Sequence, residues 1–294
     1  MSAWRIAAAS ASIALLSSEA SAALEDPLDP RRVVGDFDGD ALPDSVYLRP
    51  LYDCGKGRIE VRYGDGSTAT WSREDPTIQG TPGCHDYFGA SAAVGDFNGD
   101  GYDDLVVGTP GDDPSGQEHA GSINILYGAN GAGLSGYGDL LLHQNNGTIP
   151  DYNDAGDYFG DSLASGDFNC DGYDDVAVGV PREDISTDDE AGLVILLYGS
   201  ECGIAVAAAT CNGNTQVAPS YLREGYAGVE GTRGGGDHFG GALAAGNFDD
   251  DLCDDLAIGV PGDDDAATDG GYVYVTLGTP TGMDTTHDYT LQQG

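Results

Sequence analysis

Four short acidic stretches hold the residues whose types and spacing could do chemistry. They read DFDGDALPD from Asp36, DFNGDGYDD from Asp96, DFNCDGYDD from Asp167 and NFDDDLCDD from Asn247. In each, positions 1, 3, 5 and 9 are carboxylates or amides. The four sets are Asp36, Asp38, Asp40 and Asp44; Asp96, Asn98, Asp100 and Asp104; Asp167, Asn169, Asp171 and Asp175; and Asn247, Asp249, Asp251 and Asp255. Three or four carboxylates within nine residues repel one another unless a cation lies between them. Calcium suits such a set, because it takes ~6–8 oxygen ligands at about 2.3–2.6 Å from carboxylates, amides and backbone carbonyls. The carbonyls at position 7 (Leu42, Tyr102, Tyr173 and Cys253) are the natural backbone ligands. Magnesium fits less well, since it keeps its waters and uses few protein ligands. Zinc has no His or Cys cluster to bind. The loops open like an EF-hand but close differently, with Asp at position 9 and no Glu at position 12.

The four loops are unequal. Position 6, where the turn calls for positive φ, is Gly101 and Gly172 in loops 2 and 3 but Ala41 and Leu252 in loops 1 and 4. A Cβ in that conformation is costly. Up to four calcium ions are therefore expected, held most tightly in sites 2 and 3. Site 4 should be weakest, because Asn247 also removes a charge.

The loops are punctuation in a longer repeat, starting at residues 36, 96, 167 and 247, with spacings of 60, 71 and 80. Such a period marks an array of supersecondary units. No helical periodicity is present. Each unit reads as four strands: a small alternating one (Ala90–Phe97, Asp161–Phe168, Gly241–Phe248), an apolar one after the acidic loop, a β-branched and aromatic one, and a poorer fourth (Ala69–Ser72, Asp139–His143, Ser220–Arg223, Asp288–Leu291). Proline ends the second strand in units 2 to 4, where it cannot continue a ladder. Four-stranded antiparallel units in tandem predict an all-β fold, a β-propeller with four blades in this chain at about 33–75, 86–144, 157–225 and 237–294. The first strand is rich in Ala and Gly, as suits the crowded axis. Phe88, Phe159 and Phe239, each followed by Gly, are expected to anchor one blade on the next. Phe97, Phe168 and Phe248 at loop position 2 should point into the core.

The chain has 294 residues and a formal net charge of −39, with 50 acidic residues against 11 basic. Nucleic acid and anionic membrane surfaces are poor partners for it. Residues 1–22 read as a secretory signal: Arg5, an apolar run from Ile6 to Leu16, and a small-residue cleavage site at Ala20-Ser21-Ala22. That run is too short to span a membrane. Residues 23–32 form a Pro-rich lead-in, and the propeller fills 33–294. A secreted or cell-surface location follows, and six cysteines fit it. Local pairing points to Cys202–Cys211 and Cys54–Cys84. Cys170 and Cys253 lie within acidic loops and would bridge neighbouring units if those loops sit side by side. Six cysteines nonetheless allow fifteen connectivities.

The combined pattern, FG, then GDFNGDG-x-DD, then VG-x-P and a G-x-V/I strand, resembles the FG-GAP repeat of integrin α-subunit propellers and related bacterial secreted proteins. Three full copies and one partial copy cover residues 33–294. The resemblance implies a propeller with structural calcium in the hairpin loops between the first and second strands of each blade. Carried over position by position, the ligands are the four sets above. It also implies an adhesion or recognition role toward an extracellular protein or glycan. Integrin propellers have seven blades and this chain has four, so truncation, a closed four-blade ring and self-association to complete a ring all stand open.

An enzyme is not expected. Gly160-Asp161-Ser162-Leu163 spells GDSL, but the aligned residues are Ser91 and Ala242, so the motif falls within the repeat. No GxSxG or HExxH occurs. The alternatives are a secreted hydrolase or lyase acting on polysaccharide or lipid, and a structural fragment that needs further blades.

Overall fold

The computed structural model describes residues 31–147, 149–150, 152–204, 206, 210–263 and 270–292. The signal and most of the lead-in lie outside the described residues. The fold is an all-β array of four antiparallel four-stranded blades, each with its strands in sequence order. Blade 1 holds β1 (Arg32–Gly35), β2 (Asp44–Arg49), β3 (Arg58–Arg62) and β4 (Thr68–Trp71). Blade 2 holds β5 (Ala92–Gly95), β6 (Asp104–Thr109), β7 (Ser122–Tyr127) and β8 (Ser135–Leu142). Blade 3 holds β9 (Ser162–Gly166), β10 (Asp175–Val180) and β11 (Leu193–Leu197). It then detours through a small ribbon, β12 (Thr210–Cys211) and β13 (Asn214–Thr215), before its outer strand β14 (Ser220–Leu222). Blade 4 holds β15 (Ala242–Gly246), β16 (Asp255–Val260), β17 (Tyr272–Leu277) and β18 (Asp284–Gln292).

The small first strands lie side by side, β1 by β5, β5 by β9 and β9 by β15, as their Ala/Gly content foretells. The acidic loop joins the first and second strands of every blade. Two strands run differently from expectation. β8 and β18 start several residues earlier than the sequence suggests, each after a register shift against its partner. Gly and Thr in those segments hide the period of two that would otherwise mark a strand.

The cores lie between blades rather than within them. One cluster joins Val46, Leu48, Ile59 and Val61 of blade 1 to Leu105, Val107 and Leu126 of blade 2. A second joins Val106, Ile123 and Ile125 to Val176, Val178 and Ile195. A third joins Ala177, Val194 and Leu196 to Leu256, Ile258 and Tyr274. β6 and β10 are therefore buried on both faces and read as continuous apolar runs. The FG phenylalanines Phe88, Phe159 and Phe239 are buried, and each forms a bridge to a glycine of the preceding blade: Gly57, Gly121 and Gly192. A Cβ on Gly57 would lie 2.1 Å from the carbonyl oxygen of Phe88. Glycine at these three points thus lets two backbones touch, and the anchoring role read from the sequence is what the fold shows.

Phe37, Phe97 and Phe168 are likewise buried, each against the following blade. Phe248 departs from expectation: it is 48% exposed. Its equivalents are covered by the next blade, and among the described residues no blade packs on that side of blade 4. The neighbouring outward side chains Ala257, Val273, Val275 and Leu291 match the buried Ala177, Val194, Leu196 and Leu222 of blade 3. Leu291 is 63% exposed where Leu222 is 6%. Replacing a buried Phe by Ala typically costs about 3–5 kcal/mol. Phe97→Ala should fall in that range, and Phe248→Ala should cost about 1 kcal/mol or less. Urea unfolding of both variants checks this, and equal losses would mean that Phe248 is covered in solution.

Candidate metal centres

Loops 1 to 3 fold alike, because short side-chain acceptors at positions 1, 3 and 5 capture the backbone N–H groups that follow them. In loop 2, Asp100 N–H donates to Asp96 Oδ1 (3.1 Å) and Asn98 Oδ1 (2.9 Å), Gly101 N–H to Asp96 Oδ2 (2.9 Å), and Tyr102 N–H to Asp100 Oδ1 (3.0 Å). Loop 3 repeats this with Asp167, Asn169, Asp171, Gly172 and Tyr173. In loop 1, Asp40, Ala41 and Leu42 donate to Asp38, Asp36 and Asp40. Asp36, Asp38 and Asp40 each bring a carboxylate oxygen within 4.8 Å of the other two. Atoms so spaced can share one ion at calcium–oxygen distances. Asp36 Oδ1 is shut off from solvent with no hydrogen-bond partner. The donor set is all hard oxygen, so the residues present fit calcium, held by positions 1, 3 and 5.

The turn explains the glycines. Position 6 has φ +86° at Gly101 and +90° at Gly172, and Ala41 is forced to +62°. Leu252 does not take the left-handed conformation: loop 4 bends otherwise, and this side chain is exposed. There Asn247 donates its amide to the Asp251 carbonyl (2.7 Å) instead of accepting the position-6 N–H. Asp249 and Asp251 still accept, from Asp251 N–H and Cys253 N–H. Loop 4 therefore keeps positions 3 and 5 but not the arrangement at position 1.

Position 9 does more than the spacing suggests. Asp44, Asp104, Asp175 and Asp255 are fully buried. One oxygen of each accepts the N–H of loop position 2, from Phe37, Phe97, Phe168 and Phe248. The other accepts from the glycine just past the third strand: Gly64, Gly128, Gly199 and Gly278. One carboxylate thus staples the acidic loop to the far end of its own blade. Burial, reinforced by the neighbouring loop carboxylates, pushes Asp104 and Asp175 up to about 8 despite those N–H bonds. Asp44 and Asp255 are raised by the same cause. A cation in the loop would favour the ionised form of all four.

Position 8 was not singled out in the sequence, yet it joins the loops to one another. Asp103, Asp174 and Asp254 reach back to the preceding loop and accept the N–H of Asp36 (2.7 Å), Asp96 (2.8 Å) and Asp167 (3.1 Å). Each returns its own N–H to the carbonyl of that residue. The available signal was the first Asp of each DD pair, present in copies 2 to 4 and replaced by Pro43 in copy 1. Position 7 stacks in the same direction. Tyr102 lies against Gly39 and Tyr173 against Gly99, where a Cβ would come within 2.3 and 2.5 Å of the ring. At the third junction the equivalent pair is Cys170 and Cys253, joined as a disulfide with Cα atoms 4.9 Å apart. The loops do sit side by side, and the bridge between units expected from their cysteines forms. Cys54–Cys84 and Cys202–Cys211 pair as the sequence indicates.

Ser162 of the GDSL stretch donates to the Gly240 carbonyl at 2.6 Å, as Ser91 does to Gly160. It is an inter-blade tie repeated along the array.

FG-GAP repeats match at residues 88–126 and 159–197, in blades 2 and 3. Two of the four blades thus carry FG-GAP repeats, and the all-β array of four-stranded antiparallel sheets is consistent with a β-propeller of such blades. The chain is similar to phosphatidylinositol-glycan-specific phospholipase D of Bos taurus, 38% identical over 108 residues that make up 37% of this chain and 13% of that protein. It is similar to integrin alpha-3 of Mus musculus, 34% identical over 40% of this chain and 10% of that protein. Integrin alpha-5 of Xenopus laevis matches a longer part, 28% identical over 79% of this chain and 19% of its own length. The chain spans less than a fifth of these relatives. Among the described residues, no helix is long and apolar enough to cross a membrane.

Removing an acceptor from a buried N–H costs about 1–3 kcal/mol. Asp174→Ala, which unseats Asp96 N–H, should lower stability by that amount in chemical unfolding, although the residue was not expected to be a ligand. A neutral outcome would show that the loops do not lean on one another.

Proposed function

We infer that this chain is a calcium-braced FG-GAP propeller module of a secreted or cell-surface protein, and that it recognises an extracellular protein or glycan and performs no catalysis itself. The observation that carries this reading is the row of stacked acidic loops. Each gathers oxygen donors, and the loops are coupled through positions 7 and 8. Calcium at positions 1, 3, 5, 7 and 9 would brace one end of the array as a unit and leave the other connections to contact a partner. Three disulfides support an oxidising compartment, and the similarity to integrin alpha subunits supports recognition as the role. The match to a phospholipase D favours a second reading, a module that accompanies a lipid hydrolase. The open apolar face of blade 4 favours a third, a propeller fragment that needs further blades.

The test is thermal unfolding of residues 31–294 in calcium and in EDTA, at known mass in solution. A ligand that binds only the native state at ~100 times its dissociation constant adds about 2.7 kcal/mol per independent site. The melting temperature should rise strongly with calcium. Asp171→Ala should lose much of that rise, and Asp251→Ala little, given the altered turn of loop 4. No calcium response would remove the metal from the reading. Turnover of a glycosylphosphatidylinositol or polysaccharide substrate by the isolated chain would replace recognition with catalysis.

A further inference from the structure

A buried polar box recurs between consecutive blades, at the end of the array opposite the acidic loops. Each box is built from three positions: the residue five before Ile78, Ile149 or Val229; the Asp two before the FG phenylalanine; and the acid two after the proline that ends the second strand. In the first box these are Arg73, Asp86 and Asp112. Arg73 pairs with Asp112 Oδ2 at 2.8 Å and donates to Ser122 Oγ and Asn124 Oδ1. Its charge also pulls against the upward shift that burial gives Asp86. In the second box the residues are Gln144, Asp157 and Glu183, and Gln144 Nε2 donates to Glu183 Oε2 at 2.6 Å.

In the third box Glu224 stands where Arg73 and Gln144 stand, with Asp237 and Asp263 as the two kept acids. The formal charge of the box thus runs from −1 through −2 to −3 along the array. Glu224, Asp237 and Asp263 are 1%, 3% and 2% exposed. Each offers an oxygen, and the three lie within 4.8 Å of one another. The Tyr272 hydroxyl donates to Glu224 Oε1, and the Gly234 N–H donates to Asp237 Oδ2. Glu224 Oε2 is buried with no hydrogen-bond partner.

We propose that Glu224, Asp237 and Asp263 bind a divalent cation, calcium by their donor chemistry, in the place that the Arg73 guanidinium occupies between blades 1 and 2. Three buried carboxylates this close together repel one another strongly. Three oxygens this close can all touch one ion at about 2.3–2.6 Å. The first box shows that this position in the repeat accepts a cation, paired to Asp112, the equivalent of Asp263, and acting on Asp86, the equivalent of Asp237, through its charge. Burial raises Glu224 well above the usual carboxylate range. The site lies apart from the acidic loops and carries none of their sequence signature.

Bound calcium per chain, measured after equilibrium dialysis of residues 31–294 against calcium alone, tests the assignment. Glu224→Gln and Glu224→Arg should each bind one equivalent less than the wild type. Glu224→Arg, which restores the arrangement of the first box, should also melt in EDTA at or above the wild type in EDTA. Asp171→Ala should keep the Glu224-dependent equivalent, which separates this site from the loops. If the wild type bound a single equivalent and Glu224→Arg none, the loop reading would fail while this one stood. Equal calcium in the wild type and both Glu224 variants overturns the proposal.

Discussion

The structure depends on how it accommodates negative charge packed tightly at one end of a β array. The answer repeated in every blade is the position-9 aspartate. It is fully buried, yet both of its oxygens are met by backbone N–H groups, one from the acidic loop and one from the turn after the third strand. Remove that carboxylate and two buried donors lose their acceptor at once. Those donors hold the hairpin that presents positions 1, 3 and 5. The metal-binding geometry and the closure of each blade are thus one interaction seen from two sides.

The same constraint acts between blades. Position 8 reaches the loop before it, and position 7 covers the glycine or cysteine at position 4 of that loop. Coupling therefore runs along the array in one direction, from loop n+1 to loop n. An ion in one loop would order the N–H groups that position 8 of the next loop contacts. Calcium held in such a row acts on the array, and single-loop affinities would not be independent of their neighbours.

Much of this was legible in the residues. The period of the acidic loops, the alternation of the strands and the FG anchors gave the blades, because each is a local pattern with one physical reading. The disulfide between Cys170 and Cys253 was legible as two cysteines inside neighbouring acidic loops, on the condition that those loops sit side by side. What escaped was relational. Asp174 looks like one more loop acid, and only its reach to Asp96 N–H shows its task. Phe248 carries the same local signature as Phe168, and its exposure depends on what packs outside blade 4. Arg73, Gln144 and Glu224 share no chemistry, so no motif links them until the blades are superimposed through their registers. Leu252 sits in a turn unlike that of the other three loops, because Asn247 donates instead of accepting.

The two ends of the array are chemically unlike, and this bears on closure. The outward face of blade 1 carries Arg32, Tyr47, Arg49, Arg58, Glu60 and Arg62, with Arg49 and Arg62 over the Tyr47 ring and both Arg49 and Arg58 paired to Glu60. The outward face of blade 4 is Ala257, Val273, Val275, Leu277 and Leu291, with Tyr289 beside them opposite Val275. Every interface observed between blades sets apolar residues of one face against apolar residues of the next. Closing blade 4 directly on blade 1 would bury guanidinium groups against Val273, Val275 and Leu277, which offer them no counter-charge. Desolvating even paired ions is seldom recovered in such a setting. The four blades are therefore poorly matched for a ring among themselves. The surface that would complement blade 4 is apolar, patterned like the faces of β10 and β16 that look back toward the preceding blade.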